Sequence, residues 1–272
     1  MPTPTVALTI AGLDSAGGAG IHADLRTFAA LGLHGASVVA ALTAQSTVAV
    51  HGVQVVPSDF VAAQLDAVLG DLDVRAVKTG FLASADNVTV VADAARAGRL
   101  RALVVDPVLA RADGTPMFGD PVRRAYLEVL LPAARVATPN RVEAGLLLGR
   151  DLRTVADMEA AAVDLLGLGS GAVVVKGGDA EDEGTTSVDV LATARGVRRL
   201  ELPRIDTRND HGSGCTFSAA VAARLARGDD VDAAVDAAKA FVHRALEGAR
   251  AWRLGAGHGP VDAFGWGSRP GV

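Results

Sequence analysis

Along this chain of 272 residues, short runs of β-branched and apolar residues recur, and most are followed by a helix-length segment. Strands separated by helices pair in parallel, and a parallel sheet needs helices over both faces. Residues 6–10, 37–42, 53–56, 75–78, 102–105, 135–138 and 172–175 read as strands. Residues 19–31, 60–69, 85–97, 121–131, 141–148 and 155–168 read as helices. Two strands with no helix between them follow, near 188–191 and 197–202, and then two helices, 214–226 and 231–249. The acidic, Gly/Thr-rich segment 179–187 reads as a mobile surface flap, and the Gly-rich tail from 255 to 272 as irregular. No linker, charge run or repeat divides the chain, so residues 1–272 are expected to form one α/β domain around a mostly parallel sheet.

Composition narrows the function classes. Hydrophobic residues make up 50% and charged residues 21%, which fits a packed core, and aromatics at 4% leave Ala, Val and Leu to build it. A net charge of -5 argues against a nucleic-acid partner. The lone Cys215 cannot form an intrachain disulfide, which fits a reducing compartment. The first apolar run stops at Gly12, and the weakly polar stretch 35–50 is broken by Gln45, Ser46 and Thr47. Neither is a leader or a membrane span, so a cytoplasmic protein with no membrane partner is expected.

In parallel sheets, ligands bind beyond the carboxyl ends of the strands. Here those ends lead into Gly12-Leu13-Asp14-Ser15-Ala16-Gly17-Gly18-Ala19-Gly20, Gln45, Lys78-Thr79-Gly80, Asp106-Pro107, Thr138-Pro139-Asn140 and Lys176-Gly177-Gly178. The first lacks the GxGxxG spacing of a dinucleotide site, and no GxxxxGK[ST] loop occurs; its plain reading is a strand-to-helix turn. Gly167 to Gly171 precedes a strand instead of following one. The six histidines show no zinc spacing, and no GxSxG elbow is present.

Gly212-Ser213-Gly214 at a helix start exposes backbone N–H groups where an anion is favoured. Cys215 in the first turn should shift toward thiolate and accept a proton; its plain reading is a small core residue. Asn140 and Glu143, three apart, offer oxygen ligands for Mg²⁺, or simply a helix cap and a surface carboxylate. Asp106 is a second acidic candidate, and Lys176 either neutralises phosphate or snorkels at the surface. An anion hole, carboxylates, a lysine and a base together suggest phosphoryl transfer.

An ordered series of segments resembles the hydroxymethylpyrimidine/phosphomethylpyrimidine kinases of the ribokinase-like superfamily, almost end to end. It comprises Leu8-Thr9-Ile10-Ala11-Gly12, Gly17-Gly18-Ala19-Gly20-Ile21, Ala23-Asp24-Leu25, Ala41-Leu42-Thr43-Ala44-Gln45 and Val77-Lys78-Thr79-Gly80. It continues with Val105-Asp106-Pro107-Val108, Thr138-Pro139-Asn140 with Glu143, and Val175-Lys176-Gly177-Gly178. His211-Gly212-Ser213-Gly214-Cys215-Thr216 and Gly257-His258-Gly259-Pro260 close it.

The resemblance implies a three-layer α/β/α sandwich, ATP with Mg²⁺, room for a monovalent cation, and a homodimer. It implies that Gln45 hydrogen-bonds an aminopyrimidine, with Asp24, Gly12, Phe81 and Val108 near it. Gly212, Ser213, Gly214 and Cys215 would form the catalytic anion hole, with Cys215 where many relatives carry Asp. Lys176 would touch ATP phosphates, and Asp106, Asn140, Thr207 and His211 would lie on the nucleotide side. Glu143 and Asp106 would serve Mg²⁺, partly through water. The implied reaction phosphorylates the hydroxymethyl group and then the resulting monophosphate. Leu13, Ala16, His22, Phe81 and Asp179 depart from the usual pattern and bear on the preferred substrate.

Pyridoxal kinases of the same branch share Lys-Thr-Gly at 78–80 and Gly-Cys-Thr-Phe-Ser-Ala-Ala at 214–220. Gln45 favours the aminopyrimidine, because an amide pairs a donor and an acceptor with an amino group and a ring nitrogen. A non-catalytic pyrimidine-binding protein is the remaining alternative, and Asn140, Glu143, Lys176 and Cys215 argue against it.

Overall fold

The computed structural model describes residues 3–111 and 114–268. Within them one sheet holds nine strands: β1 (Val6–Asp14), β2 (His34–Gln45), β3 (Val50–Val55), β4 (Val74–Thr79), β5 (Val104–Val105), β6 (Val136–Ala137), β7 (Ala172–Val175), β8 (Thr186–Thr193) and β9 (Gly196–Pro203). Their order is β3-β2-β1-β4-β5-β6-β7-β8-β9. The six central strands are parallel, while β3 at one edge and β8 at the other run antiparallel to them, and β9 pairs antiparallel with β8.

The central strands are apolar on both faces, so each pleat feeds two cores. Leu8, Ile10, Val77, Val105, Val173 and Val175 pack on one side. That layer holds α2 (Ser58–Asp71), α3 (Ala85–Arg96), α4 (Asp120–Ala125), α5 (Arg141–Leu148) and α6 (Val155–Leu166). Ala7, Ala76, Val104, Val136 and Val174 face the other side, against α1 (Gly20–Ala30), α7 (Ser213–Ala226) and α8 (Val231–Ala249). The second layer is built from small residues, among them Ala219, Ala220, Ala222, Ala223, Ala234 and Ala238, all unexposed. The result is a three-layer α/β/α sandwich of the ribokinase-like kind. No helix of the described residues is long and apolar enough to cross a membrane.

Several expectations change. The strand at 102–105 shrinks to Val104–Val105, because Ala102 takes a left-handed φ of 43° and breaks the extended run. The helix at 121–131 is α-helical only from Asp120 to Ala125; a π turn over Tyr126–Leu130 and a 3-10 turn over Leu131–Ala133 follow. Pro132 has no N–H to continue an α-helical ladder.

The acidic segment after β7 is tethered, not a loose flap. Glu183 is buried; it accepts from the Gly178 N–H at 2.8 Å and pairs with Arg204 at 2.8 Å. Arg141 holds Asp179 at 2.9 Å. The irregular tail is also fastened. His258 N–H donates to Thr47 O at 3.0 Å, Gly257 N–H to Thr47 Oγ1 at 3.1 Å, and His211 N–H to Gly259 O at 3.0 Å. Residues 257–259 thus strap the turn after β2 to the loop before α7.

Candidate active site

Parallel strands end together, so β1, β2, β4, β5, β6 and β7 deliver Asp14, Gln45, Lys78, Asp106, Asn140 and Lys176 to one edge of the sheet. The N-termini of α1 and α7 open on the same edge, because each helix follows or faces a parallel strand.

At the β1 end the Asp14 carboxylate accepts from the N–H groups of Ala16, Gly18 and Ala19 at 2.9–3.0 Å. Its Oδ2 also lies 3.0 Å from His211 Nε2. Burial pushes the carboxyl up, but the His211 contact and the Ala19 and Ala16 amides outweigh it and leave the pKa below the ordinary value. Two glycines let the loops from opposite ends of the chain meet here. A Cβ on Gly18 would stand 2.3 Å from His211 Cδ2. Gly212, at φ 79°, would place one 2.1 Å from Gly18 O. Gly212 caps α7, Ser213 N–H donates to Asp210 O at 3.0 Å, and Thr216 N–H closes the first turn on Gly212 O. The Gly214 and Cys215 amides are then helix donors without an intrahelical acceptor, an arrangement that could seat an anion.

Beneath this seat Lys78 and Asp24 form an ion pair at 3.0 Å with no side-chain exposure at either end. Thr9 Oγ1 donates to the same Asp24 oxygen at 2.6 Å, while Asp24 Oδ1 has no partner. Burial raises the Asp24 pKa against the pull of Lys78 and Thr9. Burial pushes Lys78 down, but Asp24, Cys215 and Asp106 outweigh it and keep the ammonium charged. Cys215 reverses the thiolate expectation. Although the residue is half-buried overall, burial of its thiol pushes the pKa up to about 11, with Lys78 opposing and Asp24 and Asp106 adding to the rise. The dipole of one helix start does not offset that desolvation.

A second cluster lies at β5 to β7. Lys176 Nζ meets Asp106 Oδ1 at 2.7 Å, and both are buried, so Lys176 is not a snorkelling surface lysine. Asn140 and Glu143 form a reciprocal capping box at 2.8 Å in each direction. Glu143 is buried, contrary to a surface carboxylate. Burial pushes its pKa up to about 7, with Lys176 opposing and Asp106 adding. Among the described residues, no group of three or more His, Cys, Asp or Glu side chains is arranged to hold a metal.

A groove of about 540 Å³ runs along this cluster, lined by Asn140, Lys176, Gly177, Thr207, Ser213 and Gly214 among others. Another part of its wall carries no motif in the sequence. Lys239 Nζ bonds Asp189 Oδ2 at 3.0 Å and Ser187 Oγ at 3.1 Å, and all three residues line the groove. Lys78 was visible only as one piece of a motif; a lysine inside a β-strand flanked by Val77 was its one local signal. His211, expected on the nucleotide side, does not line the groove; its ring lies against Gly18, between Asp14 and Gln45. Phe81 stacks on Phe118 with ring centroids 5.4 Å apart, and a Cβ on Gly12 would meet Phe81 at 2.8 Å. Val108 follows β5 in a tight turn, its N–H donating to Asp106 O at 2.9 Å.

Such an edge, with a helix-start anion seat and buried lysines converging on one groove, defines a small-molecule kinase of the ribokinase-like class. The family described as phosphomethylpyrimidine kinase matches residues 14–262, and the chain belongs to it. The chain is 46% identical to the hydroxymethylpyrimidine/phosphomethylpyrimidine kinase of Rhizobium meliloti over 260 residues, covering 95% of this chain and 97% of the relative. It is 44% identical over 259 residues to a chloroplastic thiamine biosynthetic bifunctional enzyme of Arabidopsis thaliana, covering 94% of this chain but only 49% of that longer protein. A Bacillus subtilis pyridoxal kinase solved with ADP superposes with a TM-score of 0.88 at 38% identity, covering 96% of this chain and 98% of that one.

Proposed function

We propose that this kinase transfers phosphate from ATP to the hydroxymethyl group of 4-amino-5-hydroxymethyl-2-methylpyrimidine, and then to the resulting monophosphate. The product would be the pyrimidine diphosphate used in thiamine biosynthesis. The observation that carries the reading is the placement of an amide, Gln45, at the same sheet edge as the anion seat of α7. An amide offers a donor and an acceptor to an amino group and its neighbouring ring nitrogen. Family membership and the near-full-length similarity to the Rhizobium meliloti kinase support it.

On this reading the nucleotide occupies the groove with its phosphates toward Lys176 and the first turn of α7, and with Thr207 on the groove wall. Asn140 and Glu143 hold the start of α5 in place beside Lys176. The donor set fits Mg²⁺ held by Glu143 and Asp106 partly through water and by the phosphates, since Mg²⁺ retains several waters and takes only one or two carboxylates. The ion would supply charge neutralisation on the triphosphate. Phe81 and Val108 would flank the pyrimidine, with Gly12 leaving room for the Phe81 ring.

In the first transfer the hydroxyl oxygen bonds to the γ-phosphorus, the bond to the β-phosphate bridge oxygen breaks, and the hydroxyl proton must leave. Cys215 is the group in the anion seat that would take it, in the thiolate form that a thiol with its pKa raised to about 11 populates only in small part at neutral pH. In the second transfer the attacking phosphate is already mostly a dianion, its second pKa being about 6. We further propose a cytoplasmic homodimer; the unpaired Cys215 and the exposed apolar β3 edge support it, and cell fractionation tests the location.

The test is product analysis by mass spectrometry with ATP, Mg²⁺, the hydroxymethylpyrimidine and pyridoxal in competition. The reading expects a pyrimidine monophosphate followed by a diphosphate. The likeness to the Bacillus subtilis enzyme makes pyridoxal the competitor to beat. Dominant pyridoxal phosphate would overturn the pyrimidine reading.

A further inference from the structure

Three side chains meet at the Gln45 end of the site, and the donors and acceptors they present decide which way the Gln45 amide is turned. His211 Nε2 lies 3.0 Å from Asp14 Oδ2 and 3.1 Å from Gln45 Nε2. Asp14 accepts from three backbone N–H groups and is an acceptor toward His211 as well, so Nε2 must carry the hydrogen. A protonated Nε2 cannot accept from the Gln45 NH₂. On the other side of the amide, the single hydrogen of the Thr43 hydroxyl faces two acceptors, Leu13 O at 3.1 Å and Gln45 Oε1 at 3.2 Å. Turning the Gln45 amide by 180° ends the donor–donor contact and leaves Thr43 one acceptor and one donor, with the single His211 N–H shared between Asp14 Oδ2 and the Gln45 oxygen. Amide oxygen and nitrogen are exchangeable in shape, and the hydrogen-bond network decides between them. Thr43 then donates to Leu13 O and accepts from the Gln45 NH₂, while the Gln45 oxygen faces the His211 N–H.

We infer that His211, held by Asp14, is a positioning residue that fixes the Gln45 amide in one orientation and thereby selects substrates with an amino group beside a ring nitrogen. In this state one amide hydrogen is spent on Thr43 and one oxygen lone pair on His211. One hydrogen and one lone pair remain, in a fixed order, for the substrate. An aminopyrimidine supplies the matching acceptor and donor; a hydroxylated pyridine lacks the amino group. The imidazole cannot drift, because its ring packs on Gly18 where even a methyl group would collide, and its backbone N–H is tied to Gly259 O. His211 thus serves the amide of β2 from a loop 166 residues away in sequence.

This inference rests on the proposed pyrimidine reading, and steady-state kinetics of His211→Phe and His211→Gln test it with the pyrimidine and with pyridoxal. Phe keeps the ring shape without the donor; Gln places an amide N–H where Nε2 stood. His211→Phe should raise KM for the pyrimidine about tenfold while kcat falls less than threefold, and should leave KM for pyridoxal within twofold. His211→Gln should restore most of the pyrimidine KM. In a Gln45→Ala background, His211→Phe should add nothing further. Equal losses with both substrates, a fall in kcat alone, or additive effects with Gln45→Ala would overturn the inference. A wild-type enzyme that makes no pyrimidine phosphate would instead overturn the function on which it rests, and that control is read before any variant.

Discussion

Lys78 and Asp24 face each other with neither side chain exposed, and desolvating two such charges costs several kcal/mol per ion. A buried pair of this kind is poor evidence for stability, so its value is sought in the field it sets up. Lys78 opposes the rise in the Cys215 pKa, while Asp24 adds to it. With the thiol at about 11, its thiolate fraction is small at neutral pH and grows about tenfold per pH unit until the pKa is reached. Phosphorylation of the hydroxymethyl group should therefore speed up between pH 7 and 9, while phosphorylation of the monophosphate stays nearly flat; separate pH–rate profiles measure this. Cys215→Ala should slow the first transfer about 100-fold, in the range of a lost general base, and the second less than tenfold. An equal loss in both would mean that Cys215 shapes the anion seat and takes no proton. These roles were half legible: the Gly-flanked cysteine marked the seat, but nothing local revealed the carboxylate and lysine beneath it.

Among the elements, the sheet edges differ sharply from its centre. All six residues of β3 are exposed, with Val53 at 49% and Val50 at 42%, and neighbouring Leu42 of β2 is 47% exposed. An edge strand that is open and apolar invites pairing unless something covers it. A second copy of the chain is the proposed cover, so Val53→Glu should convert the dimer to a monomer in sedimentation velocity without changing the far-UV spectrum. A monomeric wild-type protein would sink that proposal. The central strands were readable because burial on both faces leaves continuous apolar runs. The segment at 102 was not, since nothing in Ala-Leu-Val-Val announces a left-handed residue at its start. Nor was the switch from α to π geometry at Tyr126, which coincides with a tertiary contact, the Tyr126 hydroxyl donating to Gly80 O at 3.2 Å.

Over the whole molecule, the site is assembled from pieces that the sequence displays singly and does not connect. The glycine loop, the strand-end lysines and the α7 start were each visible as short motifs. The pairing of Asp14 with His211, 197 residues apart, and of Thr47 with Gly257, 210 apart, is made only in the folded chain. Closing a contact over that distance costs roughly 3 kcal/mol more than closing the Asp14–Ala19 turn, which spans five residues. The strap at 257–259 makes this closure with a few hydrogen bonds between loops. Local opening takes place where contacts are few and backbone is near solvent. Catalysis should then disappear at a lower urea concentration than far-UV ellipticity, and coincident midpoints would show that the strap opens only with the cores. On refolding, secondary structure should therefore return before catalysis, because a competent site also needs residues 257–259 seated on the turn after β2.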